Sequence, residues 1–390
     1  MTIRSIKEAQ VDGKTVFVRV DFNIPMRNGL ISDDSRIIAA LPTLNLLRHN
    51  GARLIIASHL GRPAGKVIDD LRLEPVRIRL SELLKVNVTS AGGPSGSLPA
   101  KTLERLEING VALLENLRFD PGEENNNPEF SRHLASLADL YVNDAFGAAH
   151  RAHASTTGIT THLPSYAGLL MEKEIDMLGN SLNSSKGAAV AVVGGAKVGD
   201  KIHVLKNLTS KVDTILIGGG MLAAFLIASN RSGGAAEIKS EEVWAAKNLL
   251  DSGGAQVVLP ADVVTGRTFQ QNSIPTVYQA TDVPNDALIM DIGPRATREY
   301  ARILGIANTI VWNGPMGVFE WEAFSKGSIG VARAIATNLK ATSVIGGGST
   351  AEIVKSQNLS KQITHVSTGG GASLEYLEGK ILPGVAALEW

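Results

Sequence analysis

Short apolar, β-branched runs recur along the chain between longer stretches with helical spacing. They are Val16 to Val20, Leu54 to Ala57, Val111 to Leu114, Ala189 to Val193, Thr214 to Ile217, Val257 to Leu259, Leu288 to Met290, Thr309 to Trp312, Ser343 to Ile345 and Thr364 to Val366. Most are apolar at both odd and even positions, as strands covered by helices on both faces must be. Their alternation with helical segments predicts βαβ units, and no fixed repeat period is present. The expected fold is α/β, with two doubly wound, Rossmann-like parallel-sheet domains joined by a hinge. A boundary is expected near Leu163-Pro164-Ser165-Tyr166-Ala167-Gly168, followed by a helix over Met171 to Leu182 and the polar stretch Asn183-Ser184-Ser185-Lys186. The domains are then 1–168 and 169–379, with about 380–390 docking back on the first through the apolar tail Leu382-Pro383-Gly384-Val385. The polar stretch Asn125-Asn126-Asn127-Pro128 reads as a surface loop inside the first domain rather than a second linker.

A length of 390 residues with 44% hydrophobic content supplies a large core and excludes disorder as the main state. Lys+Arg and Asp+Glu are equal at 38 each, so no global field draws the chain to nucleic acid or an anionic membrane. Any bound anion must be caught locally. Residues 1–170 hold 14 Arg and 5 Lys, whereas 171–390 hold 6 Arg and 13 Lys. Arg offers a planar fork and Lys a mobile point charge, so the switch reads either as two different ligands or as compositional drift. With no Cys, disulfides, thiolate metal sites and cysteine nucleophiles are absent, and a reducing cytoplasm fits. The first residues lack the apolar run of a signal peptide, and no stretch offers about 20 unbroken apolar residues, so no membrane partner is expected.

Three strand-like runs end in a glycine triplet and enter a helix: Gly218-Gly219-Gly220, Gly346-Gly347-Gly348 and Gly369-Gly370-Gly371. Bare backbone at a helix N-terminus presents free N–H groups and the positive end of the dipole, a setting for phosphate. One such triplet could be only a tight turn; three in one half point to an anion. Two also fit Gly-x-Gly-x-x-Ala, at Gly218 to Ala223 and Gly346 to Ala351, which raises a nicotinamide-dependent dehydrogenase. The acidic ribose partner about 20 residues on is missing, and so is a Walker A motif. In Gly194-Gly195-Ala196-Lys197-Val198-Gly199-Asp200-Lys201, two lysines four apart share a face if the segment is helical. Cations there oppose the dipole unless an anion sits between them.

In Val18-Arg19-Val20-Asp21-Phe22-Asn23, strand alternation sends Asp21 and Asn23 to one face. His59 and Arg62 in Ser58-His59-Leu60-Gly61-Arg62-Pro63, and Arg118 in Asn116-Leu117-Arg118-Phe119, follow strands, where ligands of open α/β sheets gather. Arg36 opens a helix after Asp33-Asp34-Ser35, and Arg151 lies in His150-Arg151-Ala152-His153. The two histidines read as structural rather than as a zinc site, there being no acidic cluster at ligand spacing.

Together these motifs, with Asn143-Asp144-Ala145-Phe146-Gly147 and Trp312-Asn313-Gly314-Pro315-Met316-Gly317-Val318-Phe319-Glu320, resemble the phosphoglycerate kinase family over essentially the whole chain. The resemblance implies reversible transfer of the acyl phosphate of 1,3-bisphosphoglycerate to Mg-ADP, giving 3-phosphoglycerate and Mg-ATP, in a cytoplasmic monomer that closes its domains, with hinge motion near Gly168 to Lys173. It implies that Asp21, Asn23, Arg36, His59, Leu60, Gly61, Arg62, Arg118 and Arg151 hold the glycerate and its phosphate. Gly194, Gly195, Ala196, Lys197, Lys201, Gly218, Gly219, Gly220, Gly293, Asn313, Pro315, Glu320, Gly346, Gly347, Gly348, Ser349 and Thr350 would hold the nucleotide. Arg36, Lys197 and Lys201 would stabilise the moving phosphoryl group, and no general base is needed because the acceptor is a carboxylate. Ser349 stands where the family pattern has Asp, a metal ligand, which also raises a catalytically impaired relative. Locally, Ser349-Thr350-Ala351-Glu352 fits a capping box, and the Ser349 hydroxyl is a neutral candidate Mg ligand.

Overall fold

Thr15–Arg19 forms β1, and Val16, Phe17 and Val18 are all buried, as a central strand covered on both faces requires. The computed structural model describes residues 3–180, 187–199 and 201–389. The chain divides into two compact units, Met1–Ile175 with Ile381–Trp390, and Asp176–Lys380.

In the first unit β1 is followed by a hairpin, β2 (Met26–Arg27) and β3 (Leu30–Ile31), which turns on Asn28 and Gly29, both at positive φ. Then come β4 (Arg53–Ala57), β5 (Val88–Ser90), β6 (Val111–Leu113), β7 (Leu140–Asn143) and β8 (Ser165–Ala167). The sheet runs β5-β6-β4-β1-β7-β8, and every pairing is parallel. Winding starts at β1, proceeds to the β4 side and returns to β7, so the crevice between β1 and β7 is a switch point. On one face Val16, Val18 and Ile56 pack with Ile37, Leu44 and Leu80; on the other Phe17 meets Tyr141 with ring centroids 6.1 Å apart. Each such side chain contributes roughly 1.5–3 kcal/mol by leaving water. The tail belongs to this unit: Gly384 N–H donates to the Ala149 carbonyl at 2.8 Å, and Leu382, Val385 and Leu388 are buried.

The second unit contains β9 (Ala189–Val193), β10 (Thr214–Ile217), β11 (Gln256–Val258), β12 (Asp262–Gly266), β13 (Thr276–Gln279), β14 (Leu288–Ile292), β15 (Thr309–Asn313), β16 (Thr342–Gly346) and β17 (His365–Val366). The parallel sheet runs β11-β10-β9-β15-β16-β17, with its switch point between β9 and β15. Trp312, Val192 and Ile345 pack there against Tyr300, Leu304 and Ile335.

Leu288 to Met290 is corrected: it is not a parallel strand but part of β14, in an antiparallel sheet β13-β12-β14. Only Leu259, Pro260 and Ala261 separate β11 from β12, too few for a crossover of about a dozen residues, so the chain must leave the parallel sheet. The helical reading of Met171 to Leu182 becomes helix Leu169–Ile175 and a π-helical turn, Asp176–Asn180. Ser181 and Leu182, the polar stretch 183–186 and Asp200 lie outside the described residues.

Asp262 links the two sheets of this unit. Its Oδ1 accepts from Ala296 N–H at 2.7 Å and its Oδ2 from Arg295 N–H at 3.0 Å, capping helix Pro294–Gly305 from a neighbouring strand. Asp262→Ala is expected to cost about 1–2 kcal/mol of stability, read as a lower urea midpoint with an unchanged m-value.

Candidate functional site

At the carboxyl ends of β1, β4 and β6 the loops are tied by one chain of hydrogen bonds. Arg36, in the first turn of helix Ser35–His49, donates to Asp21 Oδ2 at 2.7 Å and to the Asn23 carbonyl at 3.2 Å. Asn23 N–H donates to Asp21 Oδ1 at 3.1 Å, and Asn23 Oδ1 accepts from Gly61 N–H at 2.9 Å. The Gly61 carbonyl accepts from Arg118 at 2.8 Å. Gly61 has φ +63°, a conformation that L side chains rarely adopt, and a β-carbon would in addition push the Leu71 side chain aside. Buried Asn116 clamps the segment: its Nδ2 donates to the carbonyls of Leu60 and Leu71, and its Oδ1 accepts from Leu60 and Arg118 N–H.

Strand alternation does not bring Asp21 and Asn23 together. β1 ends at Arg19, and the pair converges through the local turn closed by Asn23 N–H on Asp21. Of the expected substrate residues, Asp21, Asn23, Arg36, Leu60, Gly61 and Arg118 are joined in this network. Arg62 follows it and is exposed; Arg151, half-buried, has its Nε 3.2 Å from His150 Nε2 and lies within electrostatic reach of Arg118.

His59 is buried beside Arg19, whose NH2 lies 3.1 Å from His59 Nδ1. Burial, then the charges of Arg19, Arg118 and Arg36, lower its pKa well below the ordinary histidine value, so the ring is neutral near pH 7. Arg118 is itself lowered by burial, with Glu124 Oε1 3.2 Å from its Nε opposing the shift. Three residues outside the sequence expectations hold this region: Arg19, Glu123 and Ser155, all without exposed surface. Burial alone would raise the Glu123 pKa, but His153, Arg19 and Ser155 outweigh it and keep the carboxyl below its ordinary value. Glu123 sits in Gly122-Glu123-Glu124-Asn125, which reads as a solvated loop, so no sequence signal marked it. Asp144, at the end of β7, is pushed up to about 6 by burial although Oδ1 accepts from Leu170 and Met171 N–H. These bonds tie Gly168 to Met171 to the first unit.

In the second unit the loops after β9, β10 and β15 meet backbone to backbone. Gly194 N–H donates to the Asn313 carbonyl at 3.1 Å, Gly219 N–H to Met316 at 2.8 Å, and Met221 N–H to Gly195 at 3.1 Å. A β-carbon on Gly194 would lie 2.0 Å from the Pro315 oxygen, one on Gly219 2.5 Å from Gly195 N, and one on Gly220 2.7 Å from the Ala196 oxygen. Gly314 N–H donates to Thr350 Oγ1 at 2.8 Å, which joins the loop after β16 to the others. Beside them is a cavity of about 230 Å³ lined by Ala196, Lys197, Gly220, Met221, Ile238 and Ile289. A larger cavity of about 770 Å³, lined by Val264, Val277, Pro294 and Lys326 among others, contains none of the expected residues.

Two local expectations are corrected. Lys197 and Lys201 do not share a helical face: helix Ile202–Leu208 starts after them, Lys201 is its N-cap, and Lys197 is exposed in the preceding loop. The segment before the helix is a bend and turn closed by Lys201 N–H on the Val198 carbonyl at 2.9 Å, and Lys201 Nζ donates to Asn313 Oδ1. Ser349 is not a cap either. Gly347, at φ +91°, is the N-cap of helix Gly348–Ser356, no side chain caps it, and Ser349 is exposed in the first turn. A residue at that φ turns the chain into the helix two residues earlier than a Ser349 cap would. Glu320 is exposed in the turn after β15, and Gly293 is the N-cap of helix Pro294–Gly305, against Asp262 and apart from the cavity lining. Asp291 is pushed up to about 7 by burial, with Gly327 N–H at 2.7 Å and Ile292 N–H at 2.9 Å opposing the shift.

A family model described as Phosphoglycerate kinase matches residues 6–380. The chain is 48% identical over 387 residues to the phosphoglycerate kinase of Moorella thermoacetica, covering 98% of each. Its fold is similar to the structure of phosphoglycerate kinase from Coxiella burnetii, with TM-score 0.90, 39% identity and 99% of each chain covered. The crystal structure of the Pyrococcus horikoshii OT3 enzyme gives TM-score 0.86 at 34% identity, covering 99% of this chain and 98% of that one.

The lowered His59 pKa carries a stability consequence. An unfolded histidine takes up its proton near pH 6.5 while the buried one resists it, so stability is whole above about pH 6.5 and declines below. Wild type is expected to lose more stability than His59→Gln between pH 7.5 and 5.5, compared through urea midpoints; parallel losses would refute the neutral ring.

Proposed function

Because the chain belongs to the phosphoglycerate kinase family, we propose that its basic first unit holds the glycerate substrates and its glycine loops hold ADP and ATP. The reaction is reversible transfer of the acyl phosphate of 1,3-bisphosphoglycerate to ADP, giving 3-phosphoglycerate and ATP. The network through Asp21, Arg36, Asn23, Gly61 and Arg118 is the observation that carries the substrate assignment. It fixes cationic forks and backbone at strand ends, where a doubly wound sheet presents its ligands.

In the reverse direction the nucleophile is the substrate carboxylate, ionised at neutral pH with an ordinary pKa near 4. It attacks the γ-phosphorus while the bond to the β,γ-bridging oxygen breaks, and no proton need move. What the protein supplies is alignment and positive charge around the three equatorial oxygens. We assign this to Arg36, Lys197 and Lys201 with the N–H groups of the glycine loops. The small, largely apolar cavity beside Gly220 has room for a base rather than a whole nucleotide, and exposed Glu320 is suited to the ribose hydroxyls.

Among the described residues no group of three His, Asp or Glu is placed to hold a metal. We infer a magnesium ion carried mainly by phosphate and water, with the Ser349 hydroxyl as a neutral protein ligand. The ion would offset phosphate charge when bound. A catalytically impaired relative, raised by Ser349, is not favoured. No described helix is long and apolar enough to cross a membrane, and we place the enzyme in the cytoplasm as a monomer.

Mixing the protein with 3-phosphoglycerate and Mg-ATP, and coupling product to NADH oxidation, is expected to show turnover that Lys197→Ala lowers by about 100-fold or more. Absence of turnover in wild type would sink this reading. Ser349→Asp is expected to lower the magnesium concentration needed for half-maximal rate; an unchanged requirement would remove Ser349 from the metal's surroundings.

A further inference from the structure

Behind the basic network lies a buried relay in which chemistry fixes every bond direction. Glu123 accepts from the Ser155 hydroxyl at 2.6 Å and from Ser155 N–H at 3.0 Å. The Ser155 oxygen, its one proton committed, accepts from Arg19 Nε at 2.8 Å. Arg19 NH1 donates to the Val20 carbonyl at 2.5 Å, and Tyr141 OH holds the Ser155 carbonyl at 2.7 Å. The remaining Arg19 nitrogen, NH2, lies 3.1 Å from His59 Nδ1. A guanidinium only donates, so Nδ1 must present its lone pair, and the ring's single proton resides on Nε2.

A second proton would have to enter at Nδ1, where Arg19 already donates. The other ionisable groups facing the ring are Arg118, Arg36 and His153, none of them acidic. Glu123 in turn faces Arg19 and His153, whose Nδ1 lies 3.7 Å from Glu123 Oε1. No hydrogen bond from the described residues reaches His59 Nε2.

We propose that Glu123 and Ser155 are positioning residues for phosphoryl transfer: through Arg19 they hold His59 as the neutral Nε2–H tautomer, an uncharged hydrogen-bond donor to the glycerate substrate. The inference rests on the first unit being the glycerate half-site. Arginines on three neighbouring elements supply the charge that binds the anion. A neutral donor adds direction, and it does so without an ionisation that would vary across physiological pH.

The test combines nitrogen NMR of the full chain labelled with ¹⁵N-histidine, His59 being assigned by the signal lost in His59→Gln, with steady-state kinetics. Wild type is expected to show His59 Nδ1 unprotonated and Nε2 protonated from pH 6 to 8. Ser155→Ala is expected to mix the tautomers and raise KM for 3-phosphoglycerate about ten-fold, with KM for ATP unchanged. Ser155→Thr, which keeps the hydroxyl, should restore both. A proton on Nδ1 or an imidazolium in wild type at pH 7 overturns the proposal even if the variants fail to fold. So does a Ser155→Ala protein with wild-type spectrum and KM. Wild-type turnover separates the two levels: turnover with the wrong tautomer defeats only this inference, whereas no turnover with 3-phosphoglycerate defeats the substrate assignment beneath it.

Discussion

The arrangement of both proposed half-sites depends on two parallel strand pairings, β1 with β7 and β9 with β15. At each the winding direction of a sheet reverses, so the loops leaving adjacent strands diverge to opposite faces and open a crevice at the carboxyl edge. Part of the chemistry of each unit hangs from those edges, and part from the ends of β4, β6, β10 and β16 beside them. Arg19 ends β1, Asp144 follows β7, Gly194 follows β9 and Asn313 ends β15. In the second unit the crevice is closed so far by backbone that side chains are excluded. Gly194, Gly219 and Gly220 meet carbonyl or amide atoms at distances no β-carbon tolerates. Glycine is required there by close approach, and the same close approach pairs the Gly194 and Gly219 N–H groups with the Asn313 and Met316 carbonyls.

The first unit solves the opposite problem. It concentrates cations, and Arg19 is wholly buried among them. Removing a guanidinium from water costs several kcal/mol unless its donors are satisfied and a counter-charge is near. Ser155, the Val20 carbonyl and His59 each take one donor, one from every guanidinium nitrogen, and Glu123 supplies the charge one bond further back. Such a network is weak support for stability, because an apolar replacement would avoid the desolvation altogether. Its value lies in orientation, since each member has one acceptable hydrogen-bonding state.

Much of this architecture was legible in the chain. Central strands such as Ala189–Val193 and Thr309–Asn313 are apolar at both parities because helices cover both faces, and glycine triplets fall where strands turn into helices. What escaped were features set by tertiary contacts. β13 is largely exposed and carries no apolar period, so its sheet left little trace. Asp21 and Asn23 meet through a turn rather than strand alternation, and Lys201 reaches Asn313, more than a hundred residues away. Ser349 satisfies a capping pattern, but the helix starts at Gly348, with Gly347 as its N-cap. Glu123 lies in an acidic, Asn-rich stretch and is buried only because the segment holding Ser155 folds over it.

The chemistry explains which side chains the half-sites contain. A reaction whose nucleophile is already a carboxylate and whose leaving group is a phosphate needs no residue that gains and loses a proton. The network at the first proposed half-site accordingly consists of arginines, an asparagine and backbone around the Asp21 carboxylate, which is paired with Arg36. Strongly shifted groups are nonetheless present: Asp144, Asp291 and Tyr141 are raised and His59 lowered. In each, burial is the largest cause, and each shift favours the uncharged form. Perturbed pKa values often mark acid–base catalysis. Here they follow from burying polar side chains, and Glu123, held below its ordinary value by His153, Arg19 and Ser155, is the exception that stays charged.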